Sequence, residues 1–247
     1  NPHYDWERMQ ADNFAWWLGR MRVQLRCFDL IRIDHFRGFE AYWEIPADAE
    51  TAIGGRWVKA PGAALLTEFF REFPQLPLVA ENLGLITPEV EQLREQFHLP
   101  GMLILQFAFD GSAGNPYVPH RHTPLAVVYT GTHDNDTTLG WYRQLDENTR
   151  HRVHDYLGHP REPMPRPLIR GALASVARLA IVPMQDLLEL DSDHRMNTPG
   201  TSSGNWRWQF DWSQVGEELS DSVRRSIAPS ARAVACACVS MSKRISV

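Results

Sequence analysis

The chain has 247 residues, of which 43% are hydrophobic and 22% are charged, and its formal net charge is −5 at pH 7. This composition is typical of a soluble globular domain and argues against a disordered chain. The negative charge argues against nucleic-acid binding, and no run of 18 apolar residues could span a membrane. Three cysteines cannot form a disulfide framework, so we expect a cytoplasmic protein.

The first half of the chain alternates between predicted helices and strands. Apolar residues at helical spacing predict a helix over residues 9–26, which leads into a strand over 27–33. A long loop containing glycine and proline follows over residues 44–62, and the segment GAALLTEFFREF predicts a second amphipathic helix. A short buried strand over Leu76–Ala80 comes next, and Thr87 followed by Pro88 predicts the start of a third helix.

Three further strands are predicted in the second half, in the segments GMLILQFAF, PLAVVY and LAIVPMQDLL, with a helix over residues 168–178 before the last. Nearly all-apolar strands that alternate with helices indicate βα units and a parallel sheet covered on both faces. The sheet can be open or closed into a barrel. A closed barrel needs eight strands, so five candidates predict that strands one to three precede Asn1.

Polar residues stand where these apolar strands end. Arg32 and Asp34 close the first strand, Glu81 follows the second, and His133 and Asp134 follow the fourth. Active sites of parallel α/β folds lie at the carboxyl ends of the strands. We therefore expect three carboxylates to converge at one mouth.

Paired carboxylates at neighbouring strand ends suit glycoside cleavage with retention, which needs carboxyl groups roughly 5–5.5 Å apart. Arg32 would keep Asp34 ionised as a nucleophile in a dry site, and Glu81 would serve as the acid. Alternatives stay open for each residue. The Arg32–Asp34 pair could be a buried ion pair, Glu81 a surface or capping carboxylate, and the segment THDND an Asx turn with a helix cap. A metal site at His133 and Asp134 is disfavoured, because the ligand spacing is loose.

Long stretches of the sequence resemble one family. They include RIDHFRGFEAYWEIPA, GRWVKAPG, VAENLG, ITPEVEQLR, LPGMLILQFAFDG, VVYTGTHDNDTTLGWY, SVARLAIVPMQDLLEL and MNTPGTSSGNWRW, and they run in family order from Asn1 to about Trp212. The sequence resembles the 4-α-glucanotransferases called amylomaltases or disproportionating enzymes, members of the α-amylase clan.

This resemblance implies an α/β fold, a (β/α)8 TIM barrel with insertions, of which the chain carries roughly strands 4–8. It also implies transfer of an α-1,4-glucan segment to the 4-hydroxyl of an acceptor through a covalent glycosyl-enzyme intermediate. Asp34 matches the family nucleophile, Glu81 the general acid/base, and Asp134 the third carboxylate, which holds sugar hydroxyls.

The resemblance also implies the binding residues and the partners. Arg32 and His133 match residues that contact the nucleophile and the sugar, while Phe107 and Asn197 stand where the family lines its glucan groove. The substrates would be α-1,4-glucans and maltooligosaccharides, without cofactor, metal, nucleic acid or membrane. The oligomeric state is left open.

Two departures from the family pattern stand out. Asn82 follows Glu81 where the family usually has aspartate, which removes a possible negative charge. Residues 1–225 are predicted to form the C-terminal part of the catalytic barrel, and residues 226–247 an atypical tail, frame-shifted or disordered. Two other functions stay open, an α-amylase-like α-1,4-glucan hydrolase and an inactive glucan-binding fragment. We expect the piece without strands one to three to be aggregation-prone and inactive.

Overall fold

A computed structural model describes residues 2–230 and 245–246. The chain divides into two compact units, Asn1–Met102 with Ser240–Val247, and Leu103–Val239. The elements of the first half are the helices α1 (Trp6–Ala11), α2 (Ala15–Cys27), α3 (Gly62–Glu72) and α4 (Pro88–Gln96), with the strands β1 (Leu30–Ile33), β2 (Ala41–Glu44), β3 (Arg56–Lys59), β4 (Leu78–Ala80) and β5 (Gly101–Ile104). Those that follow are β6 (Ala126–Tyr129), α5 (Thr138–Gln144), α6 (Glu147–Tyr156), α7 (Arg166–Ala174), β7 (Leu179–Ile181), α8 (Met184–Leu187), α9 (Glu217–Ile227) and β8 (Ile245–Ser246).

The first unit is built on the parallel pair β1 and β4, as the sequence predicted. Three residue pairs fix its register, namely Ile31 with Leu78, Arg32 with Val79 and Ile33 with Ala80. The short strand β8 pairs in parallel with β1 on the other side, so the sheet order is β4-β1-β8. This register determines which side chains meet at the carboxyl end of the sheet.

An apolar cluster between the helices and this sheet forms the core of the first unit. Leu65, Leu66 and Phe69 on α3 are fully buried, and they share the cluster with Ile31 and Ala80 of the strands. Burying each large side chain contributes roughly 1.5–3 kcal/mol, so this core anchors the strand ends that carry the polar residues.

Three predictions for the first unit were wrong. The helix over residues 9–26 is two helices, because Asn13 and Phe14 adopt positive φ angles of 55° and 57° and interrupt it. Phe14 is buried there, so tertiary packing holds the break. The expected loop over residues 44–62 contains β3, which pairs antiparallel with β2. Cys27, which the sequence placed at the start of a strand over residues 27–33, instead ends α2 and is exposed.

In the second unit β6 pairs in parallel with β7, and the sheet order is β5-β6-β7. Leu105, Val128 and Leu168 are fully buried in its core. The third predicted strand is shorter than expected, because the chain turns into a 3₁₀ helix over Leu105–Phe107. The helices α5 and α6 follow β6 where the sequence reading placed no element.

The C-terminal region is described only in part. The helix α9 ends at Ile227 and a 3₁₀ turn continues it over Ala228–Ser230. Residues 231–244 and 247 lie outside the described residues, and most of the predicted atypical tail falls there. Across the part of the chain that is described, no helix has both the length and the apolar character needed to cross a bilayer.

Candidate active site

Asp34 and Glu81 lie side by side at the carboxyl ends of β1 and β4. They come one residue after the registered pair Ile33 and Ala80, and the Glu81 amide donates to the Ile33 carbonyl at 3.0 Å. Neighbouring strands are about 4.8 Å apart, so the two residues occupy adjacent positions at this edge. The predicted position of these two residues at the ends of neighbouring parallel strands is therefore confirmed.

The backbone around β1 holds the Glu81 carboxylate. Its Oε2 atom accepts from the amide of His35 at 2.6 Å, and its Oε1 atom accepts from the amide of Leu83 at 3.0 Å. His35 adopts a positive φ of 48°, so the chain leaves the extended conformation directly after Asp34. The turn after Asp34 thus places a donor on the neighbouring carboxylate, and the ends of the two strands are linked.

Arg32 pairs with Asp34, as the two-residue spacing predicted. Its Nη2 atom lies 2.8 Å from Asp34 Oδ1, and its Nε atom donates to Met102 Sδ at 3.3 Å. The Arg32 side chain is only 13% exposed, whereas the Asp34 side chain is 78% exposed. In this part of the protein the chain leaves the sheet at Asp34 and presents the carboxylate to solvent, and the dry site expected around it in the whole protein stays a prediction.

Asn82 has a role that the sequence reading missed. Its Nδ2 atom donates to Glu91 Oε1 at 2.7 Å, and its Oδ1 atom accepts from the amide of Met102 at 2.8 Å. Glu91 also pairs with Arg94 at 2.8 Å. An amide supplies both the donor and the acceptor that this position needs, which a carboxylate cannot do. Asn82 therefore ties the segment after Glu81 to α4 and β5.

In the second unit, Asp134 stands on a polar turn after β6, in contact with two of the predicted binding residues. Its Oδ1 atom accepts from Asn197 Nδ2 at 2.6 Å, and its Oδ2 atom lies 3.4 Å from His133 Nε2. Arg195 donates to the backbone carbonyl of Asp134 at 3.0 Å. The ring of His133 lies 5.0 Å from that of Trp206. The structure thus brings together His133, Asp134 and Asn197.

A pocket of about 390 Å³ opens beside Asp134. Aromatic and polar side chains share its lining, which consists of Gln106, Phe107, Asp134, Asn135, Asp136, Trp141, Gln144, Leu145 and Arg195. The size falls within the range of small-molecule sites. Phe107 is 41% exposed and packs edge-on against Tyr117, with ring centroids 5.5 Å apart. Aromatic faces next to carboxylates and amides suit a sugar, which has apolar ring faces and hydroxyl rims.

The segment THDND was interpreted either as an Asx turn with a helix cap or as part of the site, and the structure contains features of both. Thr132 donates from its amide and its hydroxyl to Asn135 Oδ1 at 2.9 Å, so the segment is a polar turn. The cap of α5 is Thr137, whose hydroxyl accepts from the Gly140 amide, and not one of the two aspartates. Among residues 2–230, no three histidine, cysteine or acidic side chains are grouped to hold a metal ion.

A family model described as 4-alpha-glucanotransferase matches residues 1–214. The chain belongs to this family. It is 51% identical over 227 residues to the 4-alpha-glucanotransferase of Synechocystis sp., covering 89% of this chain and 44% of that one. The enzyme of Thermus thermophilus is 51% identical over 218 residues, covering 85% and 44%. The chain therefore spans less than half the length of these relatives.

Solved structures give the same result for the fold. An amylomaltase from Streptococcus agalactiae in complex with acarbose matches with a TM-score of 0.90 and 35% identity, over 93% of this chain and 47% of that one. The amylomaltase from Corynebacterium glutamicum matches with a TM-score of 0.69 at 19% identity and supports the fold alone. These neighbours are amylomaltases, and this chain is a partial α/β structure of the same family.

Within this 4-α-glucanotransferase family chain, the structure forms two groups of predicted residues. Arg32, Asp34 and Glu81 lie together in the first unit, and the residues around Asp134, with Phe107 lining its pocket, lie in the second. The convergence of all three carboxylates on one sugar stays a prediction. Sequence reasoning missed Arg195 and Trp206, although both lie in or next to the quoted stretch MNTPGTSSGNWRW and carry side chains that suit sugar binding.

Proposed function

We propose that the protein containing this chain is a 4-α-glucanotransferase that transfers a segment of an α-1,4-glucan to the 4-hydroxyl of another glucan or of glucose. The observation that carries the proposal is the register of β1 and β4, which sets Asp34 and Glu81 next to each other in a chain that belongs to this family. A retaining glycosidic reaction requires two adjacent carboxyl groups, one as the nucleophile and one as the general acid/base.

The fold of the whole protein would be a (β/α)8 barrel. In this proposal β1, β4, β5, β6 and β7 are strands four to eight, the hairpin of β2 and β3 is an insertion, and residues 1–225 form the C-terminal part of the catalytic barrel. Residues 226–247 would be an atypical tail. The TM-score of 0.90 over 93% of this chain, which corresponds to 47% of the Streptococcus agalactiae amylomaltase, supports this assignment.

In the proposed reaction Asp34 attacks the anomeric carbon of the donor glucan while Glu81 protonates the departing oxygen. The reducing-end piece leaves, and a glycosyl ester remains on Asp34. Glu81, now a base, takes the proton from the 4-hydroxyl of the acceptor, and the acceptor oxygen displaces Asp34. Two inversions retain the configuration. The ion pair at 2.8 Å with Arg32 would orient the nucleophile.

The residues around the pocket would bind the sugar. Asp134, His133 and Asn197 would hold hydroxyl groups of the glucose unit, and Phe107 would pack against its apolar face. Transfer outcompetes hydrolysis when a bound acceptor is better placed than water, since the effective molarity of an oriented group is large. The partners would be α-1,4-glucans and maltooligosaccharides, the scheme requires no cofactor, and we propose a cytoplasmic location.

Incubation of the intact protein with maltotriose tests this function. Transfer gives a ladder of longer maltooligosaccharides together with glucose, whereas an α-amylase-like hydrolase gives only glucose and maltose. A non-catalytic binding protein would leave maltotriose unchanged.

The Asp34→Asn variant should lose turnover by at least roughly 10⁴-fold while it still binds glucan, because the nucleophile is lost but the pocket is not. Asp48→Asn, at an exposed position with no part in the site, is the matched control and should keep full turnover. Unchanged turnover in Asp34→Asn would remove Asp34 from the mechanism.

A further inference from the structure

A buried carboxylate stands behind the polar turn that carries Asp134. Asp186, on α8, is 1% exposed. Among the residues that the structure describes, no arginine, lysine or histidine forms an ion pair with it. Burial raises the pKa of the Asp186 carboxyl above its ordinary value, and hydrogen bonds from Thr130 and Thr138 counteract part of that increase. Such a group is costly to bury, so its contacts require an explanation.

The contacts of Asp186 reach both ends of one loop. Its Oδ2 atom accepts from Thr130 Oγ1 at 2.5 Å and from Thr138 Oγ1 at 2.7 Å, and its Oδ1 atom accepts from the Thr138 amide at 2.7 Å. Thr130 directly follows β6 and Thr138 begins α5. Residues 131–137, which include His133 and Asp134, are therefore held at their start and at their end by a single carboxyl group.

Between these two ends, Asp134 is held by Arg195, which donates to its backbone carbonyl at 3.0 Å, and by hydrogen bonds within the loop. The Asp134 amide donates to Thr132 Oγ1 at 3.3 Å, a long hydrogen bond. Further along, Gln106 donates to the Asp136 carbonyl at 2.9 Å, and the Asp136 carboxylate accepts from Ser192 at 2.6 Å. Asp186 fixes where the loop begins and where it ends, and these contacts set Asp134 between the two points.

We propose that Asp186 is a positioning residue, whose hydrogen bonds to Thr130 and Thr138 fix both ends of the loop 131–137 and thereby place Asp134 for its contact with the sugar. This inference rests on the proposed function only through the role of Asp134. We call the three hydrogen bonds from Thr130 and Thr138 to Asp186 the brace, and a measurement that needs no activity can test it.

The chemistry of the brace predicts which substitutions it tolerates. In Asp186→Asn the amide oxygen can accept from the Thr138 amide, and the amide nitrogen can donate to the two threonine hydroxyls, which are free to rotate. In Asp186→Ala three buried donors lose their acceptor. Asn should therefore rescue most of what Ala loses, and this order distinguishes the brace from a requirement for negative charge.

Two measurements on the intact protein test the proposal. The first is amide hydrogen exchange. Asp186→Ala should accelerate exchange by at least roughly ten-fold in the segment 131–138, while Asp186→Asn and the exposed control Asp193→Asn should not. Unchanged exchange in this segment of a folded Asp186→Ala protein would overturn the brace, whether or not the protein transfers glucan.

The second is a kinetic cycle with Asp134→Asn on maltotriose. Asp186→Ala should lower kcat by roughly 100-fold in the wild-type background, with little change in KM, as expected for a misplaced catalytic group. It should have almost no further effect in the Asp134→Asn background. An equal loss in both backgrounds would mean that Asp186 acts on folding alone and would refute the positioning role. A parent protein without transfer activity would instead count against the proposed function, and the exchange measurement would still decide on the brace.

Discussion

The contact between Gly101 and Asn82 allows a sharp test of how the segment after Glu81 is held. A Cβ atom at Gly101 would lie 2.9 Å from both polar atoms of the Asn82 amide, closer than real Cβ atoms approach. The same amide makes two hydrogen bonds, at 2.7 Å to Glu91 and at 2.8 Å from Met102. Gly101→Ala should therefore push Asn82 off its partners.

The expected size follows from these contacts. Asn82→Ala leaves the Met102 amide without an acceptor, which costs about 1–3 kcal/mol, and it removes a hydrogen bond to the charged Glu91. Glu91 is partly exposed and still forms its ion pair with Arg94, so the loss of this second hydrogen bond should cost an amount at the low end of the range for hydrogen bonds to charged groups. We expect the free energy of unfolding to fall by about 3 kcal/mol in total. Gly101→Ala should cost about 1–2 kcal/mol through overpacking.

The assay is a double-mutant cycle by denaturant unfolding of the intact protein, followed by circular dichroism. In the Asn82→Ala background, the short alanine side chain leaves room for the new methyl group at residue 101. Gly101→Ala should therefore lower the free energy of unfolding by about 1 kcal/mol less in this background than in the wild type. Any change in backbone preference at residue 101 is common to both backgrounds and cancels. Asn148→Ala, on the exposed face of α6, is the control and should change stability by less than about 0.5 kcal/mol. Additive effects of the two substitutions would refute the contact.

Two further predictions concern Arg32 and His122. Arg32→Lys keeps the charge but cannot reach Asp34 and Met102 together, so kcat on maltotriose should fall roughly ten-fold, whereas an unchanged kcat would show that the second contact is dispensable. Burial lowers the pKa of His122, which hydrogen-bonds Ser175 at 2.6 Å, so the folded protein binds this proton less readily than the unfolded chain. The contribution of His122 to the free energy of unfolding is therefore complete above about pH 6.5 and is lost as the pH falls from there toward the lowered pKa. Unfolding curves measured from pH 8 to pH 5 should show this decline in the free energy of unfolding. The decline should be smaller in the His122→Gln variant.

The sequence was most informative where local pattern and chain direction decide the structure. Apolar runs predicted β1, β4 and β6. The carboxyl ends of β1 and β4 meet because these two strands are parallel neighbours, and β6 pairs in parallel with β7. For that reason the sequence alone predicts that Asp34 and Glu81 lie at neighbouring strand ends. The pairing of Arg32 with Asp34 followed from the two-residue period of a strand in the same way.

Contacts between residues distant in sequence decided the rest. The break at Phe14, the exposure of Asp34 and the hairpin of β2 and β3 depend on what packs against each segment, which periodicity does not encode. The hydrogen bonds of Asp186 to Thr130 and Thr138, at the two ends of the loop that carries Asp134, join residues about 50 positions apart in the chain. The sequence by itself determined the family, the order of βα elements and the identity of the acidic residues, because these follow from local composition and direct resemblance. Only the tertiary structure decided how those acids are held, because a buried hydrogen bond forms where the fold brings a donor to an acceptor, whatever their separation along the chain.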